Sequence, residues 1–441
     1  MPERPRKKRV TLTTLGCKVN QFESAAFLTG LNEREVELVP FSQPAEIYII
    51  NTCAVTARAA QQSRQLIRRA QRTNPEARLV VTGCYAQIGA QDILEIVDSP
   101  LCIVGNGFKD RLVEIALAEQ HCDLEMFMGD IGRHREICPL TVRQFGERTR
   151  AYLKIQDGCN NFCTYCVVPF ARGRSRSLSP DRVIEQARIF AGEGYREIVI
   201  TGIHTGIYGL DLGQGADLAG LLRRLTLECP VRYRISSLEP GEISEELLEM
   251  LASEDLLLPH LHIPLQSGDD HILERMHRRY LSADFVDLVG RIKARVPDCA
   301  IGVDVLAGFP GEDDEAFRHT YELLASLPVT YLHVFPYSKR PGTVAARMGG
   351  QVAKEIKAAR VAALRELDQK KRRDFYTTQL GRTLPVLAER GRARRGGMQG
   401  FTDNYIPVTF AAKRNMVNRI VRVRLERLCE DGVAGTLVEG E

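Results

Sequence analysis

The chain has 441 residues, 44% of them hydrophobic and 26% charged, with a formal net charge of +4 and 12 cysteines. That length exceeds one ordinary core and predicts two or three domains, while the absence of any apolar run near the roughly 20 residues that span a bilayer excludes a helical membrane anchor, and the basic stretch from Met1 to Arg9 lacks the apolar segment of a secretory signal. A soluble cytoplasmic protein is expected, in which reduced cysteines serve metal binding or catalysis and not a disulfide framework.

Between Arg9 and Ala118, short β-branched runs at Val10 to Leu15, Ile47 to Ile50, Leu79 to Thr82 and Cys102 to Val104 alternate with helix-like stretches such as Ala57 to Arg72. This alternation predicts an open parallel α/β domain. The pattern lapses from His121 to Arg150, which reads as a linker, and resumes at Ala151. Strands are then expected at Tyr152 to Ile155, Glu197 to Thr201, Tyr233 to Ser236, His260 to Pro264, Ile301 to Leu306 and Tyr331 to Phe335. A closed eight-unit barrel needs about 250 residues, more than this segment offers before a helix expected to end near Phe375, so a partial (β/α)6 barrel is predicted. After Gly381 the texture changes to short strands at Thr383 to Ala388, Tyr405 to Phe410, Arg419 to Leu425 and Gly432 to Val438, with a turn at Gly396-Gly397, which predicts a small all-β barrel.

Cys159, Cys163 and Cys166 form a Cys-x3-Cys-x2-Cys loop directly after the first barrel strand. A structural zinc site wants four closed ligands, whereas a [4Fe–4S] cluster held by three thiolates keeps one iron open. Three further cysteines, Cys17, Cys53 and Cys84, each end a predicted strand of the first domain. Carboxyl ends of parallel strands share one edge, where ligands bind, so distant cysteines can converge there. The remaining Cys102, Cys122, Cys138, Cys229, Cys299 and Cys429 lack such spacing and read as packing or incidental residues.

The loop Asp157-Gly158-Cys159-Asn160-Asn161-Phe162-Cys163-Thr164-Tyr165-Cys166 resembles the hallmark of the radical S-adenosylmethionine superfamily. The resemblance implies that S-adenosylmethionine chelates the open iron and that Tyr165, Thr201 and Gly202 contact this cofactor, with Ser236, Gln266 and Asp304 as further cofactor candidates near later strand ends. No catalytic residue is assigned, and His204, His262 and His333 are open between ligand contact and a structural role. The segments around Cys17, Cys53 and Cys84 resemble the amino-terminal domain of methylthiotransferases, which implies a second [4Fe–4S] cluster involved in sulfur delivery. Within that family, Gly16-Cys17-Lys18-Val19-Asn20 is similar to the branch acting on N6-threonylcarbamoyladenosine beside the tRNA anticodon; the isopentenyladenosine branch reads Gly-Cys-Gln-Met-Asn and the ribosomal-protein branch Gly-Cys-x-Lys-Asn there. Further matches are His262-Ile263-Pro264-Leu265-Gln266-Ser267-Gly268 and Gly308-Phe309-Pro310-Gly311-Glu312.

From Gly381 onward, 11 Lys/Arg stand against seven acidic residues. Arg390, Arg392, Arg394 and Arg395 with Phe401 and Tyr405 offer phosphate contact and base stacking to a folded RNA, and the segment resembles a TRAM domain. The resemblance thus divides the chain into 1–140, 145–375 and 379–441, acting on a tRNA anticodon loop with a reducing electron donor and a sulfur donor. The rival readings are a sister methylthiotransferase acting on isopentenyladenosine or a ribosomal protein, and a non-catalytic iron–sulfur RNA-binding protein.

Overall fold

The computed structural model describes residues 6–438 other than 99, 120–121, 214, 391–396 and 413. Six strands come first: β1 (Lys8–Thr14), β2 (Val36–Leu38), β3 (Ile47–Thr52), β4 (Arg78–Gly83), β5 (Leu101–Val104) and β6 (Leu124–Phe127). They form one parallel sheet in the order β2-β1-β3-β4-β5-β6. Every residue of β3, β4 and β5 is buried because helices cover both faces, which is why these strands read as continuous apolar runs. The helix Ala57–Thr73 shows the local logic: Thr56 caps it through Ala59 N–H, and Ala60, Ser63, Ile67 and Ala70 recur every three or four residues on its buried face. Two strands of this sheet escaped the sequence reading. β2 has only three residues, and β6 lies inside the expected linker, where its alternating exposure as an edge strand hides it among polar residues.

The rest of the linker is not a free tether. Phe145 packs among Phe22, Tyr152, Phe190 and Tyr195, and the backbone of Val142 exchanges two hydrogen bonds with the Gln186 side chain.

Next come β7 (Arg150–Lys154), β8 (Gln156–Asp157), β9 (Arg176–Ser177), β10 (Glu197–Thr201), β11 (Arg232–Ile235), β12 (His260–Gln266), β13 (Ala300–Ala307) and β14 (Tyr331–Pro336). The antiparallel β8–β9 ladder pins the two ends of the cysteine loop. The others form two parallel sheets, β11-β10-β7 and β12-β13-β14, joined by isolated bridges at Tyr233–Leu257 and Ser237–His262. Among the described residues the arc does not close, since β7 and β14 remain its edges: this is the expected partial barrel. Strand alternation sends Leu153, Ile198, Ile200, Tyr233, Ile235, Ile263, Val303 and Leu332 into the outer core beneath the helices. Lys154, Thr201, Arg234, His262, Asp304 and His333 therefore belong to the opposite face.

The helix Lys354–Gln379 runs beyond Phe375 and carries Tyr376 into the final core. Within this helix Lys371 bonds the carbonyls of Ala325 and Leu327, and Arg372 pairs with Asp368. Five strands close the last barrel: β15 (Thr383–Arg390), β16 (Gly397–Thr402), β17 (Pro407–Ala411), β18 (Ile420–Cys429) and β19 (Gly432–Leu437), in the order β15-β16-β17-β19-β18. β16 replaces part of what reads as a glycine-rich turn.

A buried charge network joins the first sheet to the half-barrel. Arg172, 1% exposed, sits 2.9 Å from Glu23 Oε1 and 3.0 Å from Asp157 Oδ1, while Lys154 lies 2.7 Å from Asp157 Oδ2 and Lys109 bonds Glu23. Burial alone would protonate Glu23; Arg172, Lys109 and Lys154 instead hold its carboxyl far below the usual range. Glu23→Gln removes the charge without changing the shape, and should destabilise the protein by about 3–5 kcal/mol in denaturant unfolding. A loss below about 1 kcal/mol would show that the network is not needed for stability.

Candidate iron–sulfur and cofactor site

Each amino-terminal cysteine leaves the sheet at the same edge. Cys17 follows β1 and is the residue before the first turn of the helix Lys18–Asn32. Gly16 (φ +108°) lies so near Cys53 that an added Cβ would stand 3.0 Å from the Cys53 Cβ, and Gly83 (φ +95°) before Cys84 would place one 2.3 Å from the Thr52 carbonyl. Only glycine brings these turns together. Asn20 ties them further, donating to the carbonyls of Leu15 at 2.7 Å and Thr52 at 3.0 Å while accepting from Arg172 at 2.6 Å. The three thiols lie within electrostatic range of one another; burial, with Cys84 and Cys17 nearby, pushes the Cys53 thiol up to about 11.

The second set occupies the loop between β8 and β9. Cys159 accepts from Asn161 N–H at 3.4 Å and lies 3.6 Å from His204 Nδ1; Cys163 accepts from Arg278 at 3.3 Å; Cys166 accepts from Val168 N–H at 3.4 Å. Burial, reinforced by Cys163 and Cys159, pushes the Cys166 thiol up to about 12. All six cysteines are free thiols. Burial thus opposes the negative form of Cys53, Cys84, Cys163 and Cys166 unless a cationic core lies among them. Three thiols with hydrogen bonds to their sulfurs fit a multi-iron core that keeps one iron open.

Arg172 links the two sets. It lies in the short helix after Cys166, donates from Nε to Cys84 Sγ at 3.3 Å, and brings one more positive than negative charge to its group of Lys109, Lys154, Glu23 and Asp157. That surplus is electrostatically matched to an anionic thiolate site.

Gln156 positions the loop from the other side. Its amide donates to the carbonyls of Asp157 and Gly158, and its oxygen accepts from Ile203 N–H at 3.0 Å and His204 N–H at 2.7 Å. Sequence reasoning missed Gln156, Arg172, Glu23 and Arg278, because no motif marks a side chain whose partners are distant in the chain.

Thr201 ends β10 with Gly202 next to it beside this loop, and buried Ser236 follows β11, its hydroxyl without a partner among the described residues. Gln266 takes a left-handed φ of +65° at the bulge ending β12. Tyr165 packs edge-on against Phe309 in the cluster of Ile272, Met276 and Tyr337, and Asp304 lies between His262 and His333. None of these six lines the 370 Å³ cleft beside Cys163, which is walled by His204, Glu239, Glu242, Arg278 and Tyr280 among others. Arg278 bonds Glu239 there, and Glu242 bonds His204. Lys18 has no hydrogen bond or ion pair among the described residues; crowding, with Arg234 and Arg150 nearby, lowers its ammonium to about 8.

The aromatic residues expected to stack RNA bases are placed differently. Phe401 lies under Arg150 at 4.5 Å and stacks on Tyr405 at 4.8 Å; Tyr405 contacts the His260 ring at 4.3 Å and Arg234 at 4.9 Å. Both rings are occupied within the chain, docking the last barrel onto the floor of the half-barrel. Arg392, Arg394 and Arg395 lie outside the described residues, as does the side chain of Arg390.

Residues 153–324 match the family model described as the radical SAM superfamily, and 9–105 match one described as an uncharacterized protein family, UPF0004. The chain is 41% identical to the threonylcarbamoyladenosine tRNA methylthiotransferase MtaB of Bacillus subtilis, across 94% of this chain and 93% of that one. It is 38% identical to the Aquifex aeolicus protein of the same name, across 94% and 99%. A tRNA-2-methylthio-N(6)-dimethylallyladenosine synthase of Pelotomaculum thermopropionicum is 33% identical, across 94% of each. Among solved structures, the radical S-adenosylmethionine methyltransferase TsrM of Kitasatospora setae superposes with a TM-score of 0.54 at 17% identity, covering 77% of each chain, a likeness of fold.

Gln156→Met keeps the volume but strands the N–H groups of Ile203 and His204. It should cost about 2–4 kcal/mol in denaturant unfolding and speed alkylation of Cys159 in metal-free protein. An unchanged alkylation rate would show that Gln156 does not hold the loop.

Proposed function

Because the chain belongs to the tRNA methylthiotransferase family of radical S-adenosylmethionine enzymes, we propose that it adds a methylthio group to carbon 2 of N6-threonylcarbamoyladenosine beside the anticodon of tRNA. The observation that carries this reading is likeness over nearly the whole chain to enzymes named for that base. Lys18-Val19 after Cys17 supports it over the isopentenyladenosine and ribosomal-protein branches. The proposed division of labour follows 1–140, 145–375 and 379–441 for sulfur delivery, radical chemistry and RNA binding.

In this reading Cys159, Cys163 and Cys166 hold one [4Fe–4S] cluster, and Cys17, Cys53 and Cys84 hold the other. Bound S-adenosylmethionine supplies both the methyl group and the radical that removes hydrogen from the base carbon. Arg278 and the N–H groups of Asn161 and Val168 hydrogen-bond cluster thiolates and so stabilise their charge. The cleft beside Cys163 offers both signs of charge, from Glu239, Glu242 and Arg278, to the ammonium and carboxylate of the cofactor. Tyr165, Thr201, Gly202, Ser236 and Gln266 remain the proposed residues for its other contacts, whereas Asp304, paired with His262 and His333, is the one of the six candidates not proposed there. Arg172 and Asn20 hold the two sulfur sites in fixed relation, so that sulfur and radical meet at one base carbon.

An anticodon-loop base can be splayed out of its stack, and the open edges of the half-barrel admit it without melting a duplex. Arg390, Arg392, Arg394 and Arg395 remain the proposed phosphate contacts. A reducing electron donor and a sulfur donor complete the reaction in the cytoplasm, and among the described residues no helix is long and apolar enough to cross a membrane.

The test is mass spectrometry of nucleosides from tRNA incubated with anaerobically reconstituted protein, S-adenosylmethionine and reductant. A methylthio adduct is expected on the threonylcarbamoyl base; an adduct on the isopentenyl base instead would reject the substrate. Cys84→Ala should lose about half the bound iron and the methylthio product while still forming 5′-deoxyadenosine. Cys163→Ala should abolish both products, and equal behaviour of the two variants would refute the assignment of separate roles.

A further inference from the structure

One group of donors on the half-barrel's inner face belongs to neither cysteine set. His262 on β12, Asp304 on β13 and His333 on β14 come from three adjacent parallel strands, and their ligand atoms all lie within 4.8 Å of one another. The pairing register makes this possible, setting Asp304 opposite His333 on one side and Pro264, two residues beyond His262, on the other.

His262 Nε2 and His333 Nδ1 approach the same carboxylate oxygen, Asp304 Oδ1, at 3.0 and 3.3 Å. Among the described residues, the buried His262 Nε2 has no hydrogen-bond partner, despite that proximity. Two imidazole nitrogens about 3 Å from one carboxylate oxygen have the separation of neighbouring ligands around a single ion bound at about 2.1 Å. The other nitrogen of His262 is held by Ser237 Oγ at 2.5 Å, the kind of outer contact that fixes which nitrogen faces a metal. His333 is 46% exposed, and a 480 Å³ groove along β14 reaches it, so an ion has a path in.

We infer that His262, Asp304 and His333 form a site for one divalent first-row metal ion, held by two imidazoles and one carboxylate with coordination positions left open. This donor set suits manganese, ferrous iron or zinc, and differs from the all-thiolate sets that suit iron–sulfur clusters. The site stands whichever tRNA base the enzyme modifies, since it is built from this chain's own side chains.

Manganese(II) is the probe of choice, because it binds thiolates poorly. The anaerobically reconstituted holoprotein, with both clusters filled, is equilibrated with Mn²⁺ and analysed by elemental analysis and electron paramagnetic resonance. One Mn²⁺ per chain with imidazole nitrogen coupling is expected. His333→Gln and Asp304→Asn should abolish stoichiometric binding at unchanged iron content, and Ser237→Ala should weaken it by about tenfold. Failure of the wild-type holoprotein to retain Mn²⁺, or equal retention by wild type, His333→Gln and Asp304→Asn, overturns the inference and leaves a plain polar contact among three side chains. Because His333 is partly exposed, its substitution does not threaten folding, and the iron content reports on the integrity of both cysteine sites.

Discussion

The junction between the first domain and the half-barrel depends on one buried guanidinium. Arg172 follows the loop of Cys159, Cys163 and Cys166 by six residues, yet its contacts reach Cys84, Glu23 and Asn20 of the first domain. Taking a charge out of water costs several kcal/mol unless paired and hydrogen-bonded, so a side chain this deeply buried permits few placements of the elements around it. Glu23 and Asp157 meet that requirement together, one from each side of the boundary. The pairing leaves the two cysteine sets in fixed relation, which matters for an enzyme that must bring sulfur and a radical to one carbon.

A second charged cluster does the same at the opposite end of the strands. Glu197 at the start of β10 is ringed by Arg150, Arg232 and Arg234. Arg234 continues to the carbonyls of Asp403 and Thr402, and Arg150 to Glu389. The last barrel thereby closes the amino-terminal ends of the strands, with Phe401 and Tyr405 as flat surfaces under the guanidinium groups. Chemistry is left to the carboxyl-terminal ends, where the cysteine loop, His204 and Glu239 gather, as the geometry of β/α barrels dictates.

These two clusters also explain how rigidity and access are combined. The half-barrel is fixed at its floor and at its junction with the first sheet, while β7 and β14 keep unpaired edges. The open arc is the feature that the proposed tRNA substrate would use to present its base.

The sequence alone determined what depends on local order: alternating β and α segments, the Cys-x3-Cys-x2-Cys loop, and cysteines at the ends of three strands of one sheet. Those features carry short-range signals, since strand period, turn glycines and ligand spacing are properties of neighbouring residues. Tertiary structure decided what depends on contacts between residues far apart. It made Arg172 and Gln156 the fastenings of the cysteine loop, turned Phe401 and Tyr405 from expected base-stacking surfaces into a docking face, and set His262, Asp304 and His333 side by side. A charged or aromatic side chain looks the same in sequence whether water, RNA or a buried partner satisfies it. Only the fold chooses among them, because the choice turns on desolvation and on which partner lies within a few ångströms.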